Sequence, residues 1–348
     1  MGAPPNELYT AFSFIGFVLC AIPFYWHLEA WNTGTCMYMA WTGLGCLLQF
    51  VNSIVWNKNV IDKAPVYCDI ATRIQVGLNV AIPACSLCIN RRLYKIATVK
   101  AVMITPAEKR RAVITDLLIG IGIPILQMAV QYVVEGHRYN IFEDFGPLHA
   151  TVIMIPSFPL FYAWPVAIGV ISLVYCIMTI YQFYKRGRQF KQIMSSNRGL
   201  NQSRYLRLMA LSLVEILGTI PLGSWVIAHQ SKLFMSKWLS WEDTHSNYSR
   251  VVQVPSVLWK ADHEIVVGLE TFRWSLPVCA FIFFGFFGFA DEARKHYRLV
   301  YTSLASRIGY STSSGSFTGS SHAYVVQRAD SIRFRCLTSF TVPHPSLT

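Results

Sequence analysis

The stretch AVITDLLIGIGIPILQMAVQYVV, residues 112–134, is 23 residues long and almost free of charge. A bilayer core about 30 Å thick is crossed by roughly 20 apolar residues in an α-helix. Lipid offers no hydrogen bonds to the backbone, so a helix is the simplest structure in which such a stretch satisfies its own N–H and C=O groups. The stretch therefore predicts a transmembrane helix.

Six further stretches meet the same requirement. The seven predicted spans are residues 8–27, 36–56, 70–89, 112–134, 160–181, 206–228 and 272–290. The composition agrees with a membrane protein, because 53% of the 348 residues are hydrophobic and only 14% are charged, against about 25% charged in an average soluble domain. We predict an all-α membrane protein: a seven-transmembrane helix bundle within residues 1–300, followed by a tail, residues 301–348.

The basic residues indicate the orientation of the bundle. Most of the 30 Lys and Arg residues fall in residues 91–111, 185–207 and 294–335, which alternate with stretches that carry fewer. Because cytoplasmic loops carry an excess of Lys and Arg, the N-terminus is predicted outside and the tail in the cytoplasm. This topology also explains the net charge of +12, and we expect no nucleic-acid partner. The tail is rich in Ser, Thr and Gly and is predicted to be disordered, either as a phosphorylation target or as a plain solvated segment.

Sequence patterns of catalysis and of transport are missing. The nine histidines are scattered without an HExxH pair, and neither GxSxG nor a phosphate loop occurs. We therefore expect no enzymatic activity, no metal and no cofactor. Transporters usually show two related halves, whereas the number of predicted spans here is odd and no internal repeat is evident. A seven-span transporter or sensor remains the main alternative to a receptor function.

Three residues of the last two spans are candidates for a conformational switch. Glu215 is the clearest ionisable residue in mid-span, and it is either a polar lock that changes on activation or a hydrogen-bonded structural acid. Pro221 and Pro277 either bend their helices during switching or are simply tolerated by neighbouring groups. A glycosylation sequon begins at Asn247 in the predicted third outer loop, and such tripeptides also occur by chance.

The longest motifs lie in and after the third span. They are CDI (68–70), TRI (72–74), AIPA (81–84), LCINRRLY (87–94), RYNIFEDFG (138–146), YAWP (162–165), FFGFFG (283–288) and DEAR (291–294). These motifs resemble those of the fungal a-factor-type mating pheromone receptors, the class D G-protein-coupled receptors, over about residues 8–300. The sequence is most similar in character to receptors of mushroom-forming fungi. The rhodopsin-like class is excluded, because the third span ends in Asn-Arg-Arg and the seventh lacks Asn-Pro-x-x-Tyr.

The resemblance implies a receptor in the plasma membrane whose ligand is a peptide ending in a farnesylated, carboxymethylated cysteine. The residues assigned to ligand contact within the matching motifs are Arg73, Tyr139, Phe142, Glu143, Asp144, Tyr162 and Trp164. In this hypothesis Tyr139 and Phe142 offer aromatic surface, and the two loop acids pair with cations of the ligand. The alternatives are an Asp69–Arg73 pair at i,i+4, which we favour, and loop acids that are merely solvated.

The resemblance also implies a heterotrimeric G protein as the cytoplasmic partner. The basic residues assigned to this contact are Arg91, Arg92, Lys95, Arg188, Arg204 and Arg207. Anchoring to anionic lipid of the bilayer accounts for part of the same charges. One departure from many relatives is Pro147, which stands where they have a cysteine, so a disulfide from Cys68 to this loop is excluded. The oligomeric state is not predicted.

Overall fold

The computed structural model describes residues 5–29, 32–98, 105–185, 202–232, 235–290, 293–294, 297–298 and 302. Within these residues seven helices are long and apolar enough to cross a membrane, which confirms the predicted bundle. They are α1 (Asn6–Glu29), α2 (Thr33–Val55), α3 (Pro65–Thr98), α4 (Pro106–Val134), α5 (Phe158–Lys185), α6 (Gln202–Gln230) and α7 (His263–Phe287). Apart from Thr302, the predicted tail lies outside the described residues. We call the side with the N-terminus the outer side, following the predicted orientation.

The centre of the bundle is occupied by α3. Its most apolar window is 83% buried, compared with at most 50% in the other six helices. A polar contact deep in the bundle ties α3 to α5, since the Asn90 amide donates to the Ser172 hydroxyl at 2.8 Å. At 34 residues, α3 is about 50 Å long, which exceeds the thickness of the hydrocarbon core. Its two ends therefore reach both the outer loops and the cytoplasmic basic cluster.

Two of the helices contain a π turn that ends two or three residues before a proline. The turn Leu118–Gly122 precedes Pro124 in α4, and the turn Phe158–Tyr162 precedes Pro165 in α5. A proline ring clashes with the carbonyl four residues earlier and supplies no N–H to it, and a wider turn relieves that clash. In α4 the indole N–H of Trp41 on α2 donates to the Gly120 carbonyl at 3.0 Å. A neighbouring helix thus satisfies the carbonyl that Pro124 cannot serve.

The outer loops form a small sheet, which the sequence analysis did not predict. It consists of β1 (Tyr139–Phe142), β2 (Gly146–Leu148) and β3 (Val251–Val254), in the order β2-β1-β3. The β1–β2 pair is antiparallel, whereas β3 arrives from the loop after α6 and pairs with β1 in parallel. Gly146 has a φ of +76°, and a Cβ there would lie 2.8 Å from the Trp56 ring, so the hairpin requires glycine.

The start of α7 differs from the prediction. The helix begins at His263, not at residue 272, with the Asp262 carboxylate accepting a hydrogen bond from the Glu264 N–H at 2.9 Å. The two acids of this outer part of the helix differ in exposure, since the Glu264 side chain is 59% exposed and the Glu270 side chain only 15%. Arg273 is only 3% exposed. Its guanidinium carbon lies 3.9 Å from the Tyr9 ring centroid, and one of its guanidinium nitrogens lies 3.4 Å from a carboxylate oxygen of Glu270. The helix thus begins nine residues before the predicted span, because the prediction marked only the apolar part of the helix.

Candidate functional site

A cavity of about 660 Å³ lies beneath the outer sheet, between α2, α3, α5, α6 and α7. This volume is typical of sites for small molecules. Most of its wall is apolar, with contributions from Leu48, Leu78, Leu222, Leu269, Phe272 and Ile282. Its position within the outer half of the bundle and its apolar wall make it the candidate ligand site.

The exposure of its lining residues indicates that the cavity opens sideways between α6 and α7. Several residues that line it also belong to the exposed surface of these two helices, with 37% to 50% of their area accessible: Val214, Leu222, Trp225, Ile265 and Val278. Above this opening, at the outer ends of the helices, His229 and Glu264 contact each other at 2.6 Å. In a membrane, the exposed apolar faces of α6 and α7 lie against acyl chains. The opening is therefore continuous with the lipid.

Glu215 forms part of the cavity floor. One of its carboxylate oxygens accepts a hydrogen bond from the Tyr38 hydroxyl on α2 at 3.2 Å, and the other accepts from the Thr219 hydroxyl at 3.0 Å. The Tyr38 ring in turn stacks on Phe283 of α7, with centroids 5.8 Å apart. The acid therefore joins α6 to α2 at the level where the cavity ends.

The hairpin β1–β2 and the segment after it form the roof. Phe142, Leu148 and His149 line the cavity. The His149 ring packs on Phe161 with centroids 5.0 Å apart, and its Nδ1 lies 2.9 Å from the Thr151 hydroxyl. Burial, and secondarily the charge of Arg73, lower the pKa of His149 to about 4. The imidazole is therefore neutral at ordinary pH and places no charge above the cavity.

The two loop acids are bound to the scaffold. The Glu143 carboxylate accepts a hydrogen bond from the Ser256 N–H at 2.6 Å. The Asp144 carboxylate accepts one from the Lys58 N–H at 3.1 Å, and its other oxygen lies 3.6 Å from Lys260. Both acids hold neighbouring loops together, so they are not merely solvated, and their contact with a ligand stays a prediction.

The aromatic candidates divide into two groups. Phe142 and Tyr162 line the cavity. Tyr139 is fully buried in a separate cluster with Trp56, and its hydroxyl donates to Asp62 at 3.0 Å. The expectation that Tyr139 offers aromatic surface was therefore wrong, since alternation along β1 turns it away from the cavity. Trp164 packs against the cluster of α3 and α5 residues and does not line the cavity, and its assignment to ligand contact stays a prediction.

The favoured Asp69–Arg73 pair was wrong, because each residue has a more distant partner. Asp69 receives two hydrogen bonds from Arg138, at 2.6 and 2.8 Å. Arg73 forms an ion pair with Glu135 at the end of α4. Burial raises the pKa of Glu135, although the charge of Arg73 and a hydrogen bond from Tyr248 oppose that shift. Arg73 therefore fastens α3 to α4 and to the third outer loop rather than facing the cavity.

The Arg73 cluster has further donors and acceptors. Its guanidinium donates to the Gln131 side chain at 2.8 Å and to the Tyr248 hydroxyl at 3.1 Å, and that hydroxyl donates to Glu135 at 2.8 Å. The carboxylate of Glu135 is only 1% exposed. A charge buried to this degree is stable only with such partners. The cluster fixes the outer loops above the cavity.

At the inner end of α3, Arg91 is paired within the bundle. Its guanidinium lies 2.5 Å from the Asp116 carboxylate on α4, and the two side chains are only 13% and 5% exposed. The same guanidinium donates to the Ala112 carbonyl at 3.3 Å. Arg91 does not extend freely toward the cytoplasm in this structure, and its contact with a G protein stays a prediction. Its charge is compensated by α4.

The other predicted coupling residues have different environments. Arg92 is half-buried and donates to Asn32 at 3.3 Å, while Lys95 is exposed. Arg207 is half-buried on α6. The side chain of Arg204 and the whole of Arg188 lie outside the described residues. Lys95 is thus the predicted residue with the most accessible side chain among those the structure describes.

The two predicted switch prolines lie inside helices, and the predicted glycosylation site lies in an exposed loop. Pro221 lies inside α6 and Pro277 inside α7, and each helix continues through its proline. Asn247 is exposed in a turn of the third outer loop, with φ of 53°. Their proposed roles stay predictions.

Comparison with known proteins identifies the family. The model of the family STE3, pheromone A receptor, matches residues 8–308. The chain belongs to this family. It is 47% identical over 307 residues to the pheromone B alpha 3 receptor of Schizophyllum commune (strain H4-8 / FGSC 9210), covering 88% of this chain and 49% of the relative.

Two further relatives agree with that membership. The pheromone B alpha 1 receptor of Schizophyllum commune is 48% identical over 296 residues, which cover 85% of this chain and 46% of the relative. The pheromone receptor 1 of Mycosarcoma maydis is 35% identical over 289 residues, covering 82% and 81%. The chain thus spans about half the length of the Schizophyllum receptors it matches. The resemblance read from the motifs to a pheromone receptor family of mushroom-forming fungi is confirmed.

Sequence reasoning missed several cavity residues of this member of the pheromone A receptor family. Gln49 on α2 and Gln75 on α3 line the cavity, as do Gly218 on α6 and Gly268 on α7. The two glutamines could have been noticed in the sequence, because a polar side chain in the middle of an apolar span costs free energy unless it is hydrogen-bonded or functional. The glycines carried no such signal, since glycine is common in membrane helices.

Proposed function

We propose that the protein is a G-protein-coupled receptor of the plasma membrane whose ligand is a farnesylated peptide pheromone. The observation that supports this most is the apolar cavity open to the lipid between α6 and α7. A peptide that carries a lipid chain partitions into the membrane, so a lateral opening gives that chain a direct route. Membership of the pheromone A receptor family supports the pheromone part of the proposal.

The lipid chain supplies much of the binding free energy. Burial contributes about 0.8 kcal/mol per CH₂ group, so a farnesyl chain of about 15 carbons offers on the order of 10 kcal/mol gross. Unsaturation, ordering and incomplete burial reduce that figure. Even about 4 kcal/mol corresponds to roughly a thousandfold in binding. A cavity of about 660 Å³ with an apolar wall is suited to holding such a chain.

The peptide part of the ligand meets the outer rim. Phe142 and Tyr162 are the assigned ligand residues that line the cavity, and both present aromatic surface there. Glu143 and Asp144 act indirectly in this proposal, since their contacts with Ser256 and Lys58 shape the loop that borders the rim.

The G protein is proposed to meet the cytoplasmic end of α3 and the neighbouring loops. Lys95 is the best-supported contact, because it is exposed while Arg91 is compensated by Asp116. An acidic Gα surface and anionic lipid both attract such a cation. Lys95→Glu is expected to reduce nucleotide exchange and to leave ligand binding unchanged. Lys237→Glu is the matched control, because Lys237 is also exposed but lies on the outer side.

The decisive experiment measures nucleotide exchange on a fungal Gα in membranes that contain the receptor. Matched farnesylated and unfarnesylated peptides are compared in dose–response curves. The farnesylated peptide is expected to be at least about a thousandfold more potent. Equal potency would refute the lipid-chain proposal. Binding of the peptide without any exchange on Gα would instead favour a sensor or transporter that does not couple to a G protein.

A further inference from the structure

Two buried glutamines in the cavity wall have polar atoms without protein partners. Gln49 on α2 is 7% exposed, and among the described residues neither its amide nitrogen nor its amide oxygen has a hydrogen-bond partner. Gln75 on α3 is 4% exposed; its nitrogen donates to the Pro147 carbonyl of β2 at 2.9 Å, while its oxygen has no partner. Three amide atoms are thus left over in the wall of one cavity.

Such atoms require an explanation in physical terms. Burying an amide without a hydrogen bond costs roughly 1–3 kcal/mol in proteins, and native structures satisfy most of their buried polar groups. Both glutamines line the cavity. Their polar atoms each have under 1 Å² of accessible area, so a molecule in the cavity supplies the missing partner once these side chains turn toward it.

The charges around the cavity restrict the chemistry of that molecule. In the part of the chain that the structure describes, no Lys or Arg lines the cavity. Its two acids are engaged, Glu215 with Tyr38 and Glu264 with His229, and the His149 imidazole lies 2.9 Å from Thr151. An anion placed beside the glutamines would have no cation to compensate it. A neutral group that both donates and accepts hydrogen bonds fits the amides.

The cavity has two chemically different sides. Gln49 and Gln75 lie on α2 and α3, with Asn79 one turn further along α3. The opposite side, on α6 and α7, is the apolar opening to the lipid. A molecule with a polar end and a hydrocarbon end is oriented by such a cavity, because each end has only one side that suits it.

We propose that Gln49 and Gln75 form a neutral polar subsite, which hydrogen-bonds an amide or ester group next to the lipid chain of the ligand. The group is held against α2 and α3 while the chain extends toward the opening between α6 and α7. Gln75 links the subsite to the roof through Pro147, so the occupied subsite is in contact with the hairpin that borders the peptide-binding rim. The inference rests on the proposed lipopeptide function and assigns specific residues to it.

The test uses the full-length receptor in lipid nanodiscs and a small probe, N-acetyl-S-farnesylcysteine methyl ester, with its free acid for comparison. Affinity is obtained from ligand-induced thermal stabilisation, which requires no G protein. The methyl ester is expected to bind the wild type at least about tenfold more tightly than the acid, since the subsite offers no cation. Gln49→Leu is expected to weaken binding of the ester about tenfold, which is the loss of about one to two hydrogen bonds.

The controls separate ligand contact from folding. Gln49→Leu removes no bond within the protein, so the ligand-free receptor should be as stable as the wild type or more so. Gln75→Leu removes the hydrogen bond to the Pro147 carbonyl, so it needs a control that removes a similar bond elsewhere. Gln127→Leu is that control. Gln127 is also buried, donates to the Leu160 carbonyl at 2.9 Å and has an unpaired oxygen, yet it lies outside the cavity wall. Gln127→Leu should leave the affinity for the ester unchanged, whereas Gln75→Leu should lower it.

Two results would overturn the inference. One is an unchanged affinity for the ester in both Gln49→Leu and Gln75→Leu; the other is equal affinity of the wild type for ester and acid. Failure of the proposed function has a different readout from both results. It appears in the exchange assay, where farnesylated peptide would not activate Gα. The binding titrations described here do not depend on Gα. If farnesylated peptide activates Gα but the glutamine variants bind the ester normally, only the subsite is refuted.

Discussion

Filling the cavity from α7 tests the proposed position of the lipid chain. Gly268 lines the cavity, and a Cβ placed on it would meet nothing within 4 Å. Gly268→Leu therefore puts about four carbons into space that the proposal gives to the ligand. Gly285 is the matched control: it also lies in α7 with nothing within 4 Å of its Cβ, but it is exposed and outside the cavity wall.

The magnitude follows from the carbons displaced. If the leucine excludes about four carbons of the chain, the loss is about 3 kcal/mol at about 0.8 kcal/mol each, or roughly a hundredfold in affinity. A chain that shifts within the cavity of about 660 Å³ recovers part of that loss, so the expected range is about tenfold to a hundredfold. Both substitutions replace a helical glycine by leucine, which favours the helix by up to about 1 kcal/mol. Neither variant should unfold.

The assay is a dose–response curve for Gα nucleotide exchange with farnesylated peptide, supported by a binding titration. Gly268→Leu is expected to shift the curve for the farnesylated peptide, whereas Gly285→Leu is expected to match the wild type. The weak response to unfarnesylated peptide should be the same in all three proteins. A farnesylated dose–response curve for Gly268→Leu that superimposes on that of Gly285→Leu would show that the chain binds elsewhere.

Three further predictions concern other parts of the molecule. Arg91→Gln and Asp116→Asn should each lower the free energy of unfolding by about 3 kcal/mol, because one buried charge loses its partner. The double variant should lose less than the sum of the two single losses. Additive losses in thermal unfolding would contradict a direct ion pair. The pKa of His149 is about 4 in the folded protein, against an ordinary 6.5. As the pH falls from 6.5 toward 4, the unfolded chain gains a proton at His149 before the folded protein does, so the free energy of unfolding decreases, by about 2 kcal/mol at pH 5. His149→Gln should flatten this part of the stability profile, and an unaltered profile would assign the dependence to other groups. Asn247→Gln should abolish a glycosidase-sensitive shift on a gel if the exposed sequon is used in the native host.

The helices were predictable because the bilayer imposes a single length and a single secondary structure on each span. All seven predicted spans overlap the observed helices. The errors occur at helix ends, where a helix continues beyond the hydrocarbon core and polar residues no longer mark a boundary. At the start of α7 the helix includes the acids Glu264 and Glu270, which precede the predicted span.

The polar contacts of the outer side were not predictable from sequence spacing. A residue such as Arg73 has one acid a turn away and another, Glu135, on a different helix, and local spacing favours the first. Which acid pairs with Arg73 depends on how α3 and α4 pack. Glu135 is buried where these helices meet, so leaving its charge unpaired costs more free energy than leaving the exposed Asp69 without Arg73. The parallel pairing of β1 with β3 has the same origin, because it joins two loops that only the bundle brings together.

Glu215 shows how a residue can be located from sequence while its role depends on packing. Its depth in α6 follows from counting residues, and the cost of a carboxylate there predicted a partner. The partner, Tyr38, comes from α2, and the pair lies at the floor of the cavity, so the hydrogen bond joins two helices at the point that a bound lipid chain would approach. The two interpretations of Glu215 are therefore compatible. The acid joins α2 to α6 at the cavity floor, and the polar-lock interpretation predicts that a ligand long enough to reach the floor changes this contact.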